Sequence, residues 1–451
     1  MAVSTKTFRI ISLIVGVICM TYGGSGFLFS VYTNAVRKKY NYTQLEVGVM
    51  SGTANFGAVS IFLPGISVEK LGVRPTAVFT ILLSLSGYLL LWSATKMVAF
   101  YKFHSWLQDI YFFLAYLSGV YSYVIALVPN VANFQPKYRG TIVGLLDATF
   151  SAGTSIFVAI YGKCFVNSNT DDEENQDIGD FFLTLAILGA VTSSLGFWFL
   201  GYYKVEDISQ DYVDLDGKET PAEELIAKEP VADITTSKTL LVDQLTWCDL
   251  IKDVDLQLLF WMFLLIIPVV GMYLQNVSVY LKSFRFQEYS TLFNILLPVF
   301  AVVGKFFGGV ISDLLVHIIP RTGILLVNHL LLLLMVSTCI FLADNYYVLL
   351  ITTVVVGLNF GSINTLTPTL FVDYFGLKYF PRTWGACATL GGVVALLLQG
   401  LFGVLYDAAA TNPGEKFCYG TKCFEWSFFV AAILVLGGVI CNVCLIKSRS
   451  R

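Results

Sequence analysis

Leu256-Gln-Leu-Leu-Phe-Trp-Met-Phe-Leu-Leu-Ile-Ile-Pro-Val-Val270 carries no charge and a single polar side chain, Gln257. A helix at the surface of a soluble domain keeps a polar face, and this stretch has none. It reads instead as part of a membrane span. A helix rises 1.5 Å per residue, so about 20 apolar residues cross a hydrocarbon core roughly 30 Å thick. Ile10–Met20 and Phe428–Ile440 have the same character. Extending each run to that length predicts twelve spans: 9–33, 46–66, 76–95, 109–131, 140–163, 181–203, 256–281, 290–312, 321–343, 345–371, 383–406 and 425–446.

Composition agrees. The chain has 451 residues, 56% hydrophobic and 13% charged. Soluble domains carry about 25% charged residues. A water-soluble enzyme, a disordered chain and a disulfide scaffold are all excluded on that ground. A net charge of −3 with no Lys/Arg cluster long enough to argue otherwise speaks against nucleic acid as a partner. The three His, at 104, 317 and 329, show no metal-ligand spacing, and most of the nine Cys lie in apolar runs. No metal, cofactor or catalytic constellation is expected. Gly23-Gly24-x-Gly26 lies inside a span with no strand before it, so a dinucleotide loop is excluded by context. The apolar stretch from Phe8 to Val31 is too long for a signal-peptide core and reads as the first span.

The expected class is therefore all-α and polytopic: an N-terminal six-helix bundle (1–203), an acidic linker (204–254) and a C-terminal six-helix bundle (255–451). The linker carries thirteen Asp/Glu against five Lys. Its 204–244 part is too polar to offset the cost of ordering and is expected to be flexible, whereas 245–254 suits a short surface helix. With both termini in the cytosol, seventeen Lys/Arg fall on inner segments and ten on outer ones, the sense of the positive-inside rule. Asn41-Tyr-Thr then faces outward as a glycosylation sequon.

The two halves repeat. Gly65-x3-Glu69-Lys70-x-Gly72-x-Arg74 precedes span three, and Gly309-x3-Asp313, with Arg321 further on, precedes span nine. Glycine and acid are both displaced by 244 residues (309 − 65 and 313 − 69). Pro136-x3-Gly140 and Pro381-x3-Gly385 enter spans five and eleven, displaced by 245 (381 − 136 and 385 − 140). Duplicated six-helix units flanking a mid-membrane site form a transporter architecture in which the halves rock. Glu69, Lys70, Arg74, Arg139, Asp313 and Arg321 stand at inner helix ends. They are read as gating residues whose ion pairs latch the halves, the bland alternative being charges that only set topology.

At these residues the chain resembles the major facilitator superfamily. The loop motif at Gly65–Arg74 resembles the signature between spans two and three of that family. The nodulin-like branch, related to monocarboxylate and oxalate/formate carriers, is resembled more closely. Its likeness is carried by Tyr32-Thr-Asn-Ala-Val-Arg-Lys-Lys-Tyr-Asn-Tyr-Thr-Gln44, Arg139-Gly-Thr-Ile-Val-Gly-Leu-Leu146, Val303-Gly-Lys-Phe-Phe-Gly-Gly-Val-Ile-Ser-Asp313, Phe375-Gly-Leu-Lys-Tyr-Phe380 and Cys418-Tyr-Gly-Thr-Lys-Cys423-Phe424. The last matches a cysteine pair common in that branch, and Cys418–Cys423 is expected to be a disulfide on the outer side. The branch has Lys where this chain has Asp147, and Arg where it has Lys305.

Asp147 and Lys305 are the two charges deep inside spans, where an ionised side chain is costly and functional by default. Each is eight residues from an inner helix end marker, Arg139 or Asp313, so both lie roughly 12 Å deep. In the fold resembled, spans five and eight face each other, which sets the two charges at one depth. They are read either as a static bridge or as a substrate site in which Lys305 meets a carboxylate and Asp147 a proton. Tyr22, Asn55, Asn130, Gln275, Asn276, Asn359 and Asn364 complete the candidate substrate-binding list, with helix–helix hydrogen bonding as the alternative for each. Tyr123 and Gln399 share their polar setting.

The function expected is secondary active transport of a small organic solute, an organic anion such as a monocarboxylate or an amino acid. It would proceed by alternating access with a proton as coupling ion, in a monomer embedded in the lipid bilayer. The competing class is a non-transporting solute sensor or accessory subunit signalling through the 204–254 segment.

Overall fold

The computed structural model describes residues 5–166, 176–203, 251–409 and 418–449. The 204–244 segment, with its expected flexibility, lies outside them. Among the described residues the chain is helical, with one isolated bridge between Val166 and Gln176. Among the described residues eleven helical stretches are long and apolar enough to cross a membrane. One of them, Tyr346–Ala409, is two crossings joined at Gly376, whose φ of 73° interrupts the helix. Glycine adopts that conformation without the steric cost of a Cβ, so spans ten and eleven follow each other with no loop. That makes twelve crossings, as the hydropathy predicts.

Two boundaries differ from the sequence reading. The first span does not run helically from 9 to 33. The helix Thr5–Gly23 gives way to a tight 3₁₀ turn, Gly24–Phe27, and a separate helix Phe29–Tyr40 continues past the membrane segment. Close packing explains the turn: a Cβ on Gly24 would stand 2.4 Å from the Phe150 carbonyl oxygen. Span two is likewise two helices, Gln44–Val59 and Phe62–Leu71. Thr43 and Glu46 open it with a reciprocal capping box, satisfying two backbone N–H groups.

The remaining crossings are Val73–Lys96, Ser105–Asn133, Pro136–Cys164, Ile178–Phe199, Val254–Ser283, Ser290–Leu315, Arg321–Leu342 and Glu425–Arg449, in order spans three to nine and twelve. Phe8 stacks on Tyr203 at 5.5 Å, and Ser448 bonds Asp255 at 2.6 Å. Both described ends of the chain therefore lie at one face, here the terminal face. Cys418 and Cys423 form a disulfide near the opposite, far face, between spans eleven and twelve.

Glycine lets the halves touch closely. A Cβ on Gly309 would stand 2.1 Å from the Gly140 carbonyl oxygen, and one on Gly65 2.3 Å from that of Pro381. Span eight thus lies on span five, and span two on span eleven. The repeat motifs are the seams between the halves.

Candidate functional site

Midway along the seam of spans five and eight, Lys305 Nζ stands 2.8 Å from Asp147 Oδ2. The ammonium donates to Ser151 Oγ at 2.7 Å and to the Asp147 backbone carbonyl at 3.3 Å. No directed hydrogen bond reaches Asp147 Oδ2, so its contact with Lys305 is one of charge. Both side chains are buried. Backbone approach sets this geometry. A Cβ on Gly144 would sit 2.4 Å from the Lys305 carbonyl oxygen, and one on Gly361 2.5 Å from the Lys305 nitrogen. Spans five, eight and ten therefore converge on one residue. Thr365 donates to the Lys305 carbonyl at 3.2 Å.

Aromatic rings line the same level. Phe360 places its ring 5.4 Å from the Lys305 ammonium. Tyr123 packs edge-on against Phe150 at 5.1 Å. The Trp384 indole nitrogen, and both polar atoms of the Asn359 side chain, are buried without a hydrogen-bond partner. The two buried charges of the site compensate each other. Removing either partner would leave a buried charge exposed to a low-dielectric surrounding.

A second set of charges ties the halves at the terminal face. Asp313 accepts from the Gly140 and Thr141 N–H groups at 3.0 and 2.6 Å and from Thr141 Oγ1 at 2.7 Å. These are the unpaired donors at the start of span five, where a carboxylate also meets the positive end of the helix dipole. Arg321 pairs with Asp313 at 2.6 Å and also with Asp373. Asp373 in turn holds Arg139 at 2.9 Å. In the other seam Glu69 pairs with Arg382 at 2.5 Å. The sequence reading set Glu69 beside Lys70 and Arg74. Those two are exposed, and Glu69 takes its partner from the opposite half, because Gly65 brings it against the start of span eleven.

The softer candidates divide. Tyr22 bonds Ser84 and Ser118 at 2.8 and 3.2 Å, inside the N-terminal bundle. Asn130 ties spans one and four, accepting from Ser12 at 3.0 Å and donating to the Ser12 and Ala126 carbonyls. Asn276 exchanges hydrogen bonds with Gln399 at 2.7 and 3.1 Å. Gln275 is exposed, and Asn55 is half-buried. Asn364 donates to the Phe360 carbonyl at 2.8 Å, one turn from the ring beside Lys305. Lys305 and Asp147 thus come together, Asn364 bonds within its own helix, and Tyr22 and Asn130 face inward in their own half. Ser151, Phe360, Trp384, Asp373 and Arg382 escaped the sequence reading. Neutral side chains in a span carry no signal of their own, and Asp373 lies just past the predicted end of span ten.

Twelve crossings in two halves, sealed at one face and carrying a charged pair between them, define a polytopic membrane transporter. The Major Facilitator Superfamily model matches residues 13–383, and the chain belongs to that family. Two fungal proteins described as probable transporter mch1 show short matches. The one from Emericella nidulans is 35% identical over 81 residues, 17% of this chain and 13% of the relative. The one from Neurospora crassa is 27% identical over 99 residues, 20% of this chain and 16% of the relative. The chain thus spans only a small part of these relatives.

Solved structures agree over nearly the whole length. The crystal structure of FucP in the outward conformation aligns with TM-score 0.63 at 12% identity, covering 97% of this chain and 99% of that one. A bacterial homologue of the iron transporter ferroportin in an outward-facing state gives 0.63 at 15%, covering 98% and 100%. The human organic anion transporter MFSD10 gives 0.58 at 12%, covering 96% and 98%. At these identities the likeness is one of fold.

Proposed function

We propose that the protein is a secondary transporter of a small organic anion or amino acid. It works by alternating access, and Lys305 and Asp147 form the centre of its site. The buried pair of Lys305 and Asp147 at 2.8 Å, one charge from each half, is the observation that carries the reading. A carboxylate can take Lys305 without stranding a charge only if Asp147 is neutralised at the same time. A proton on Asp147 does this, and so does the ammonium of a zwitterion. Phe360, Asn364, Tyr123 and Trp384 supply walls and donors at the same level. The likeness to the nodulin-like and monocarboxylate carriers supports the same solute class.

In this reading the terminal face is cytosolic, in line with the Lys/Arg bias, and the protein acts as a monomer. The Asp313, Arg321, Asp373 and Arg139 network and the Glu69–Arg382 pair are latches that open when the halves rock. Purified protein in liposomes should take up a labelled monocarboxylate or amino acid from a solute panel. A pH gradient of the right sign should accelerate a carboxylate and leave a zwitterion unaffected. Absence of flux for every anion and amino acid, with flux of neutral solutes, would overturn the assignment.

A further inference from the structure

Span seven ends at the far face in a turn that its sequence fills against steric preference. The Phe286 N–H donates to the Leu281 carbonyl at 2.7 Å, and the Arg285 N–H donates to that of Lys282 at 3.2 Å. This closure needs one left-handed residue, usually glycine and sometimes asparagine. The same turn ends the helix Phe29–Tyr40, with Asn41 at φ 55°. Among the described residues the other positive-φ positions are Gly72, Gly376 and Gly420, and Arg285 at φ 63°. In that conformation a Cβ crowds the following carbonyl. The Arg285 guanidinium is exposed, has no acidic partner among the described residues, and stands 6.0 Å from the ring of Tyr419. That ring lies within the Cys418–Cys423 loop, and the Gly420 N–H donates to the Ser283 carbonyl at 3.3 Å.

Below this turn the same helix carries a polar face. Ser278, Gln275 and Gly271 follow Lys282 at steps of four, seven and eleven residues, which keeps the four in line. Ser278 and Gln275 are exposed, although their helix crosses the membrane. Polar side chains at such depth face a water-filled space rather than lipid tails. The neighbouring Asn276 bonds Gln399, and a Cβ on Gly271 would meet Ala395 at 3.7 Å, so this face runs beside span eleven. We propose that Arg285 is an anion-capture site at the far mouth. It takes the carboxylate of a small solute before the solute reaches Lys305, and the polar face below leads inward. The proposal rests on the transport reading above and adds a second binding site to it. A guanidinium meets a carboxylate through two parallel hydrogen bonds, and no acid among the described residues competes for its donors. An exposed cation at a mouth also raises the local concentration of anions. Backbone conformations held at a steric cost cluster at ligand sites, and here glycine would relieve the cost while losing the charge.

The test reads the field of Arg285 without knowledge of the solute. Ser278→Cys, in a Cys164→Ser background, is treated from the far side with an anionic and a cationic methanethiosulfonate reagent of similar size. Ser278 lies seven residues (285 − 278) below Arg285, roughly 10 Å of helix. A unit charge at that distance in water favours the anion over the cation by about fourfold at low ionic strength. Arg285→Gly should lose that preference, Arg285→Lys should keep it, and added salt should erase it. Arg285→Gly should also raise the Tm, because glycine fits the turn, while the KM of a transported carboxylate rises severalfold at unchanged kcat. An unchanged reagent preference would overturn the proposal. So would a fall in Tm, which would make Arg285 an anchor for Tyr419, or an unmoved KM in a protein that carries carboxylates. A lost preference in a protein that carries only neutral solutes would leave the anion site standing and remove the solute assignment instead.

Discussion

Arg382, at the start of span eleven, reaches across to Glu69 in span two at 2.5 Å, whereas the equivalent acid of the second repeat, Asp313, spends its oxygens on the backbone of span five. The repeat motif has kept its place and changed its chemistry. Glu69 holds one guanidinium. Asp313 holds two main-chain N–H groups, one hydroxyl and Arg321.

The two ion-paired seams should therefore differ in strength. Asp313→Asn is expected to cost of order 3 kcal/mol, since it strips charge from a buried cluster. Glu69→Gln should cost about 1 kcal/mol, as for a partly solvated single pair. Thermal unfolding in detergent reads both, with the larger fall in Tm for Asp313→Asn. Equal shifts would mean that the helix-start contacts of Asp313 contribute nothing beyond its pair with Arg321.

Ser151 holds Lys305 in place through its hydroxyl at 2.7 Å. Ser151→Ala removes a hydrogen bond to a charged donor, a loss of about 1.5–3 kcal/mol. Expression and folding should survive, because the charge pair remains. Uptake should fall at unchanged protein level, and Ser151→Thr should restore part of it. A Ser151→Ala protein with wild-type uptake would show that Lys305 is set by Asp147 alone.

The Cys418–Cys423 disulfide closes a short loop beside Tyr406, whose hydroxyl accepts from the Cys418 N–H at 2.9 Å. Chain-entropy arguments give a loop this short about 2 kcal/mol of stabilisation. Reduction, or Cys418→Ser, should lower Tm by a few degrees without abolishing folding. Non-reducing peptide mapping that finds both cysteines alkylated in protein from intact cells would contradict the bond.

Much of this architecture is legible in the sequence, for a physical reason. Hydrocarbon demands an apolar run of fixed length, so spans are counted directly. It also makes charge expensive, so Asp147 and Lys305 stand out. What hydropathy does not carry is helix rotation and backbone dihedrals. Nothing in the composition of Tyr22, Asn130 or Asn276 says which side of its helix it occupies, and only packing assigns Tyr22 to Ser84 rather than to the seam. The turn at Gly24–Phe27 interrupts an apolar stretch without changing its polarity. Neutral neighbours such as Ser151 and Trp384 gain meaning only through the atoms they meet.

The pair at the centre gives the sharpest prediction. Lys305→Ala leaves Asp147 buried with its charge uncompensated, and Asp147→Ala does the same to Lys305. Each should cost roughly 3–5 kcal/mol in stability or a corresponding loss of folded protein. The double change removes both charges and should be milder than the sum, by a coupling of about 0.5–3 kcal/mol for residues in contact. Asp147→Asn separates the two functional readings. If a proton on Asp147 accompanies a carboxylate, the neutral amide mimics the protonated site, and exchange of carboxylate should persist without response to a pH gradient. If a substrate ammonium meets Asp147, the same change should abolish amino acid uptake at every pH. Exchanging the charges, with Asp147→Lys and Lys305→Asp together, should recover folding, because the pair is re-formed across the same seam. It should not recover transport, since Ser151 and Phe360 are arranged around an ammonium on span eight. Recovery of both would mark the pair as a structural bridge, and simple additivity of the single changes would show that the two residues do not act as a unit.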